Sequence, residues 1–244
     1  MTIYEFMYSR VLIHFFPLYL EVNRQLKYFT ERAKLHDYCL TNILDVAGRR
    51  SQYTSGIDAQ ITLLDKCISL EDMNKICNRR SNIKYIQTAD ATKIVKGFNG
   101  RFDIIVCVEF LEHIKDTENL IKNLYDYLRP GGVLILTTPN GEFVQNTNPE
   151  HVRHYEEKDL RCKFGKVFGY ANIGVKRICT DYPGRHYAFS SWSIKRPLKT
   201  IRSMFCGFVG RFYKPSNDSY EHNLLLIAKK SEQINVFKDE RNVS

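Results

Sequence analysis

Four acidic residues stand at the ends of short apolar runs: Asp45, Asp65, Asp90 and Glu109. Asp65 lies 20 residues after Asp45. At that distance an acid takes the two hydroxyls of a ribose in nucleotide-binding folds. The same carboxylate would repel a 2′-phosphate. An Asp there can also cap a helix N-terminus, a role to which it is well suited. A second chemistry is carried by Pro149-Glu150-His151-Val152-Arg153-His154-Tyr155. Imidazole gains and loses its proton near neutral pH. His151, and after it His154, are therefore candidate bases. The alternative is a loop that merely bonds its own backbone.

These side chains need a frame. Apolar runs recur at Ile43 to Val46, Ile61 to Leu64, Ile83 to Ile86, Ile104 to Val108 and Val133 to Thr137. Two more strands are expected at Gly174 to Cys179 and Asn223 to Ala228. Helical spacing lies between most of them, as in Leu120, Leu124, Tyr127 and Leu128, and again over Glu157 to Phe164. Strands alternating with helices predict an α/β fold with a mostly parallel sheet. Uninterrupted apolar strands fit a sheet covered on both faces. Ligands then bind beyond the carboxyl ends of the strands, where the acids fall. Residues 1–38 read as a helical extension, with Pro17 dividing or kinking it. Residues 39–230 read as the main domain, with an insertion at 181–220, and residues 231–244 as a polar tail.

The segment from Phe102 to Asn140 reads as strand, acidic turn, helix, Pro-Gly-Gly turn and strand. Its VEFLEHI and LRPGG stretches resemble the second half of a class I S-adenosylmethionine-dependent methyltransferase, of the type 11-like, small-molecule branch. The resemblance implies a Rossmann-like sheet of seven strands with helices on both faces. In that family the last strand runs antiparallel between its neighbours. It also implies S-adenosyl-L-methionine as cofactor. Asp45, Ala47, Gly48, Arg49 and Ser51 would then form the turn that meets the cofactor's charged tail. The family has several glycines in this turn, whereas LDVAGRRS keeps only Gly48. Asp65 would hold the ribose. Asp90 would accept from the adenine amino group, and the Ala91 N–H would donate to the ring. Val108 and Glu109 would lie near the sulfonium. Glu112 and His113 match the same signature, or simply begin the next helix. In the family the loop after the fifth strand faces the transferred methyl, which points to His151 and His154 as bases for an oxygen nucleophile.

Composition narrows the partners. The net charge of +9 suits an anionic partner without choosing one. The 7 Cys include no C-x-x-C pair, which argues against a disulfide framework and a zinc site, so no metal is expected. Val11 to Leu20 is too short an apolar patch to span a bilayer, and no signal peptide is read there. A cytoplasmic protein with reduced thiols follows as the expectation. From Ile194 to Phe212 an apolar stripe alternates with Lys195, Arg196, Lys199, Arg202 and Arg211. Such a stripe either lies peripherally on an anionic membrane or packs as a lid. Tyr182, His186, Tyr187 and Trp192 could line an acceptor pocket.

The leading expectation is methyl transfer to a small-molecule, sugar or lipid-linked acceptor, at oxygen. An RNA methyltransferase is the first competitor, but no single-strand-binding module is seen and the basic residues are dispersed, which argues against nucleic acid. A non-catalytic methyltransferase-like subunit is the second, favoured by the glycine-poor turn. A dehydrogenase would need G-x-G-x-x-G after the first strand, which is missing. Oligomeric state is not legible.

Overall fold

The computed structural model describes residues 17–37, 41–48, 53–77, 82–178, 198 and 222–232. The expected helix over residues 1–16, the turn residues Arg49 and Ser51, the 181–220 insertion apart from Leu198, and most of the polar tail lie outside the described residues.

Each expected apolar run is a strand: β1 Asn42–Val46, β2 Gln60–Leu64, β3 Ile83–Gln87, β4 Phe102–Val108, β5 Leu128–Pro139, β6 Ile173–Ile178 and β7 Asn223–Lys229. The helices are α1 Pro17–Asp37, α2 Leu70–Cys77, α3 Thr117–Tyr127 and α4 Glu157–Phe168. The seven strands form one sheet in the order β3-β2-β1-β4-β5-β7-β6. The β1–β2, β2–β3, β1–β4 and β4–β5 pairs are parallel, and β7 runs antiparallel between β5 and β6. Strand order reverses between β1 and β4, which opens a crevice at their carboxyl ends.

Alternation along each strand builds two cores. Leu44, Ile105 and Leu134 face α3 and α4, where they meet Leu120, Leu124, Phe164 and Phe168. Their neighbours Ile43, Ile104 and Ile135 point to the other face, against Leu18, Val22 and Leu26 of α1. Those three helix residues are four apart and share one face. Burying each contributes about 1.5–3 kcal/mol. None of the described helices is long and apolar enough to cross a membrane.

Among the described residues, the β3–β4 connection and the start of β5 differ from a simple strand–helix alternation. Between β3 and β4 the chain makes turns and no helix. Tyr127 of α3 holds this loop: its hydroxyl accepts from the Val95 N–H at 2.8 Å and donates to the Lys93 carbonyl at 3.1 Å. The Pro-Gly-Gly segment, expected as a turn, is instead the irregular start of β5. Register with β4 slips there, from Phe102 opposite Leu128 to Ile104 opposite Val133. The cause is pairing beyond the end of β7: Gly131 N–H donates to the Lys230 carbonyl at 3.0 Å, and Lys230 N–H to the Gly132 carbonyl at 2.8 Å. Gly131 takes φ 77° to allow it.

Candidate functional site

Among the described residues, two non-glycine residues have positive φ: Ala47 at 57° and Glu109 at 49°. They follow β1 and β4, the two strands flanking the crevice. Each left-handed turn is held by the next strand. Ala47 N–H donates to the Leu64 carbonyl at 2.8 Å, and Glu109 N–H to the Thr137 carbonyl at 3.1 Å. Strain of this kind collects where ligands are gripped. Asp45 is buried at the end of β1 and accepts from the Thr54 hydroxyl at 2.9 Å. A Cβ on Gly48 would stand 2.0 Å from Asp45 Oδ1. The chain thus folds back onto its own carboxylate, with Ala47 itself in the left-handed conformation.

Asp65 follows β2 and accepts from the Cys67 N–H at 2.7 Å. It does not cap α2. Ser69 does, its Oγ accepting from the Asp72 N–H at 3.1 Å. Asp90 follows β3 and accepts from Thr92 N–H at 3.0 Å and Thr92 Oγ1 at 2.8 Å. Lys66 Nζ reaches it at 3.2 Å and ties the β2 and β3 exits together. The Thr92 N–H and hydroxyl, helped by Lys66, hold the Asp90 carboxyl below its usual range. Ala91 is buried, and its carbonyl accepts from Asn123 Nδ2 of α3 at 3.0 Å.

Carboxylates gather where β4 ends. Glu109 Oε1 accepts from Thr137 Oγ1 at 3.0 Å and also from Asn223 Nδ2. Three residues on, Glu112 is buried and accepts from Thr138 Oγ1 at 3.0 Å. Adjacent threonines of β5 therefore hold the two acids. Burial first, then repulsion from Glu112, raises the Glu109 carboxyl to about 8, against the pull of its two hydrogen bonds. Burial raises Glu112 as well. The buried Cys107 thiol of β4 is pushed well up by burial first, then by Glu112, Asp45 and Glu109, so all three acids act on it.

The loop from β5 to α4 lies against this acidic turn. It is closed at its base by a bridge between Asn140 and Tyr155. Val152 N–H donates to the Glu112 carbonyl at 2.7 Å. His113 Nδ1 lies 3.1 Å from the Glu150 carbonyl, and the His113 and His151 rings meet edge to face with centroids 4.6 Å apart. His151 Nδ1 is 2.8 Å from His154 Nε2, and His154 Nδ1 is 2.8 Å from the Val144 carbonyl. Burial, then His113 and His154, lower the His151 pKa, with Glu150 opposing. Glu112, His113 and His151 each bring one ligand atom within 4.8 Å of the others. Cysteine and histidine spacing gave no hint of this group, because His151 joins it only through the fold.

The sequence-derived residues thus fall into two groups. Asp45, Ala47, Gly48, Asp65, Asp90, Ala91, Val108 and Glu109 line the carboxyl ends of β1 to β4, and His151 and His154 meet the same edge from the β5 exit. Arg49 and Ser51 lie outside the described residues. Thr54, Asn123, Thr137, Thr138, Val144 and Asn223 were not foreseen: Asn123, Thr137, Thr138 and Asn223 support the site across the fold, and Thr54 and Val144 do so from nearby in the same loops. A cavity of about 580 Å³ lies at the opposite ends of the strands, lined by Phe29, Arg32, Asp103, Arg129 and Lys229. The strand exits and their acids are elsewhere.

The chain is similar to a ubiquinone biosynthesis O-methyltransferase of Coxiella burnetii, 35% identical over 132 residues, covering 52% of this chain and 54% of that protein. It spans about half the length of the curated relatives it matches. In structure it is similar to a SAM-dependent methyltransferase from Archaeoglobus fulgidus, at TM-score 0.53 and 15% identity over 85% of this chain and 94% of that one. It is also similar to the N-methyltransferase NodS of Bradyrhizobium japonicum WM9 in complex with S-adenosyl-l-homocysteine, at TM-score 0.54 and 15% identity over 88% and 89%. A family model for the methyltransferase domain matches residues 19–173, well over half of the 244 residues, so the chain belongs to the methyltransferase-domain family.

Proposed function

We propose that this protein transfers a methyl group from S-adenosyl-L-methionine to a hydroxyl oxygen of a small-molecule acceptor. The observation that carries the reading is a pair of histidines, His151 and His154, hydrogen-bonded to each other beside an acid-lined row of strand exits. The donor and acceptor set supports the cofactor: Gly48 lets the chain close onto the Asp45 carboxylate at the β1 exit, and Asp65 is not used as a helix cap. Asp65 would hold the ribose, Asp90 and Ala91 the adenine edge, and Asp45 and Glu109 the cationic end. When bound, the cofactor supplies a methyl group on a sulfonium with a good leaving thioether. The chain's part is to align the acceptor, exclude water and remove one proton. His151 takes that proton. The similarity to an O-methyltransferase supports oxygen as the nucleophile.

A lipid-linked acceptor at an anionic membrane is the finer form of the proposal, supported by the basic apolar stripe of Ile194 to Phe212 in the sequence. The test is calorimetric titration with S-adenosylmethionine and S-adenosylhomocysteine. Transfer of labelled methyl to phenols, sugars and hydroxylated lipids in anionic vesicles follows. Label in a hydroxyl acceptor supports the reading. Absence of cofactor binding at millimolar concentration overturns it in favour of a non-catalytic subunit.

One observation favours a second reading. Glu112, His113 and His151 are close enough to share a cation, and a divalent ion there would acidify the acceptor hydroxyl directly. Loss of transfer on chelation, with recovery on adding magnesium, manganese or zinc, would establish it. Chelator-resistant transfer would leave the proton to His151.

A further inference from the structure

We propose that His154 is a positioning residue that fixes His151 as its Nδ1–H tautomer, so that the Nε2 lone pair faces the reaction. This deepens the functional reading above and rests on it.

A carbonyl oxygen only accepts hydrogen bonds, so the 2.8 Å contact between Val144 O and His154 Nδ1 requires a proton on that nitrogen. A neutral imidazole carries one N–H, which leaves His154 Nε2 bare. That bare nitrogen lies 2.8 Å from His151 Nδ1. The contact is a hydrogen bond only if His151 Nδ1 holds the proton. His151 Nε2 is then left with its lone pair. With His154 neutral, the chain of donors runs in one direction, from His151 Nδ1–H to His154 and from His154 Nδ1–H to the Val144 carbonyl, so the fixed end is main chain.

The anchor is itself held by main-chain hydrogen bonds. Val144 N–H donates to the Asn140 carbonyl at 2.8 Å, and Gly141 N–H donates to the Tyr155 carbonyl at 2.9 Å. A Cβ on Gly141 would come within 3.3 Å of the His154 carbonyl group, so the two backbone segments are in close contact. His151 is held separately: Asn146 Nδ2 donates to its carbonyl at 3.1 Å, and the His113 ring meets its ring edge to face at 89°. Free histidine prefers the Nε2–H form, so the protein reverses the ordinary preference. In the step this serves, the acceptor O–H bond breaks, its electron pair stays on oxygen, and the proton bonds to His151 Nε2. The imidazolium so formed keeps its Nδ1–H directed at the His154 lone pair. The same tautomer would be needed if Nε2 met a cation, since a metal-bound imidazole is oriented by the partner of its other nitrogen.

The test is long-range ¹H–¹⁵N NMR of histidine-labelled full-length protein, a tractable assignment with 7 His, joined to kinetics of two variants. Wild type should show His151 protonated at Nδ1 and bare at Nε2. His154→Phe keeps a ring but offers no acceptor. It should release His151 to the Nε2–H form and lower kcat about 10–100-fold, the usual loss when an outer partner of a functional His is removed. His154→Gln restores an amide oxygen to accept and should bring kcat back to within a few-fold. Cofactor Kd should be unchanged throughout. An Nε2–H His151 in the wild type, or wild-type kcat in His154→Phe, overturns the proposal. The NMR reading needs no acceptor, so the tautomer is decided even if no hydroxyl is methylated, an outcome that would count against the functional reading alone.

Discussion

The carboxylate of Asp45 lies against the α-carbon of Gly48, so close that a methyl group there would stand 2.0 Å from Oδ1. The carboxylate cannot retreat freely, because Thr54 holds its other oxygen and the residue is buried. Gly48→Ala should therefore push Asp45 aside and cost about 1–3 kcal/mol, as overpacking does. Thermal unfolding of the variant should shift down, and cofactor titration should show weakened binding. Wild-type values for both would show that the turn has room.

Asp65→Ala should weaken cofactor binding by about 1.5–3 kcal/mol for each charge-assisted bond lost to the ribose. Folding stability should change less, since Ser69 caps the following helix independently. Calorimetry and a melting curve separate the two effects. Unchanged affinity would remove Asp65 from the ribose site.

Glu109 gives the protein a pH signature. Its carboxyl is raised from 4.5 to about 8 in the fold. Between those values the unfolded chain has lost the proton while the folded chain keeps it. The folded state then binds more protons, so stability falls as pH rises, levelling off above about 8. Glu109→Gln mimics the protonated acid and should flatten this part of the stability curve, making the variant relatively more stable at pH 8 than at pH 4.5. A sulfonium beside Glu109 would favour the ionised form. Affinity for S-adenosylmethionine should therefore rise with pH more than affinity for its neutral thioether product does, and Glu109→Gln should abolish the difference. Parallel pH dependence for both ligands would place Glu109 away from the sulfonium.

His151→Ala should lower kcat about 10²–10⁴-fold, the range for a positioned base, with cofactor Kd little changed. Full activity in this variant would eliminate His151 as the base.

Tyr127→Phe tests the scaffold alone. The change leaves the Val95 N–H and the Lys93 carbonyl without their shared partner. A loss of about 1–3 kcal/mol in unfolding free energy is expected, measured by denaturant titration. An unchanged midpoint would show that water replaces the hydroxyl.

Much of the frame was written in the sequence. Apolar runs such as Ile104 to Val108 are strands because a covered sheet hides them, and acids such as Asp65 and Asp90 mark their exits because an unpaired polar group is costly inside. The single glycine in LDVAGRRS also showed that this turn departs from the family pattern. Sequence could not show that Ser69 rather than Asp65 caps α2, since both are good caps and only the position of the first helical turn separates them. The Pro-Gly-Gly segment read as a turn because its pairing partner, Lys230, lies about a hundred residues away in the chain. The same holds for the site. Glu112 faces Thr138, Glu109 faces Asn223, and His113 meets His151 only because the β4–β5 and β5–β7 pairings bring them there. Local spacing encodes which residues leave the water and where each strand stops. The tertiary fold decides which distant groups then share a dry, charged space, and so which carboxyls hold protons and which imidazole nitrogen is bare.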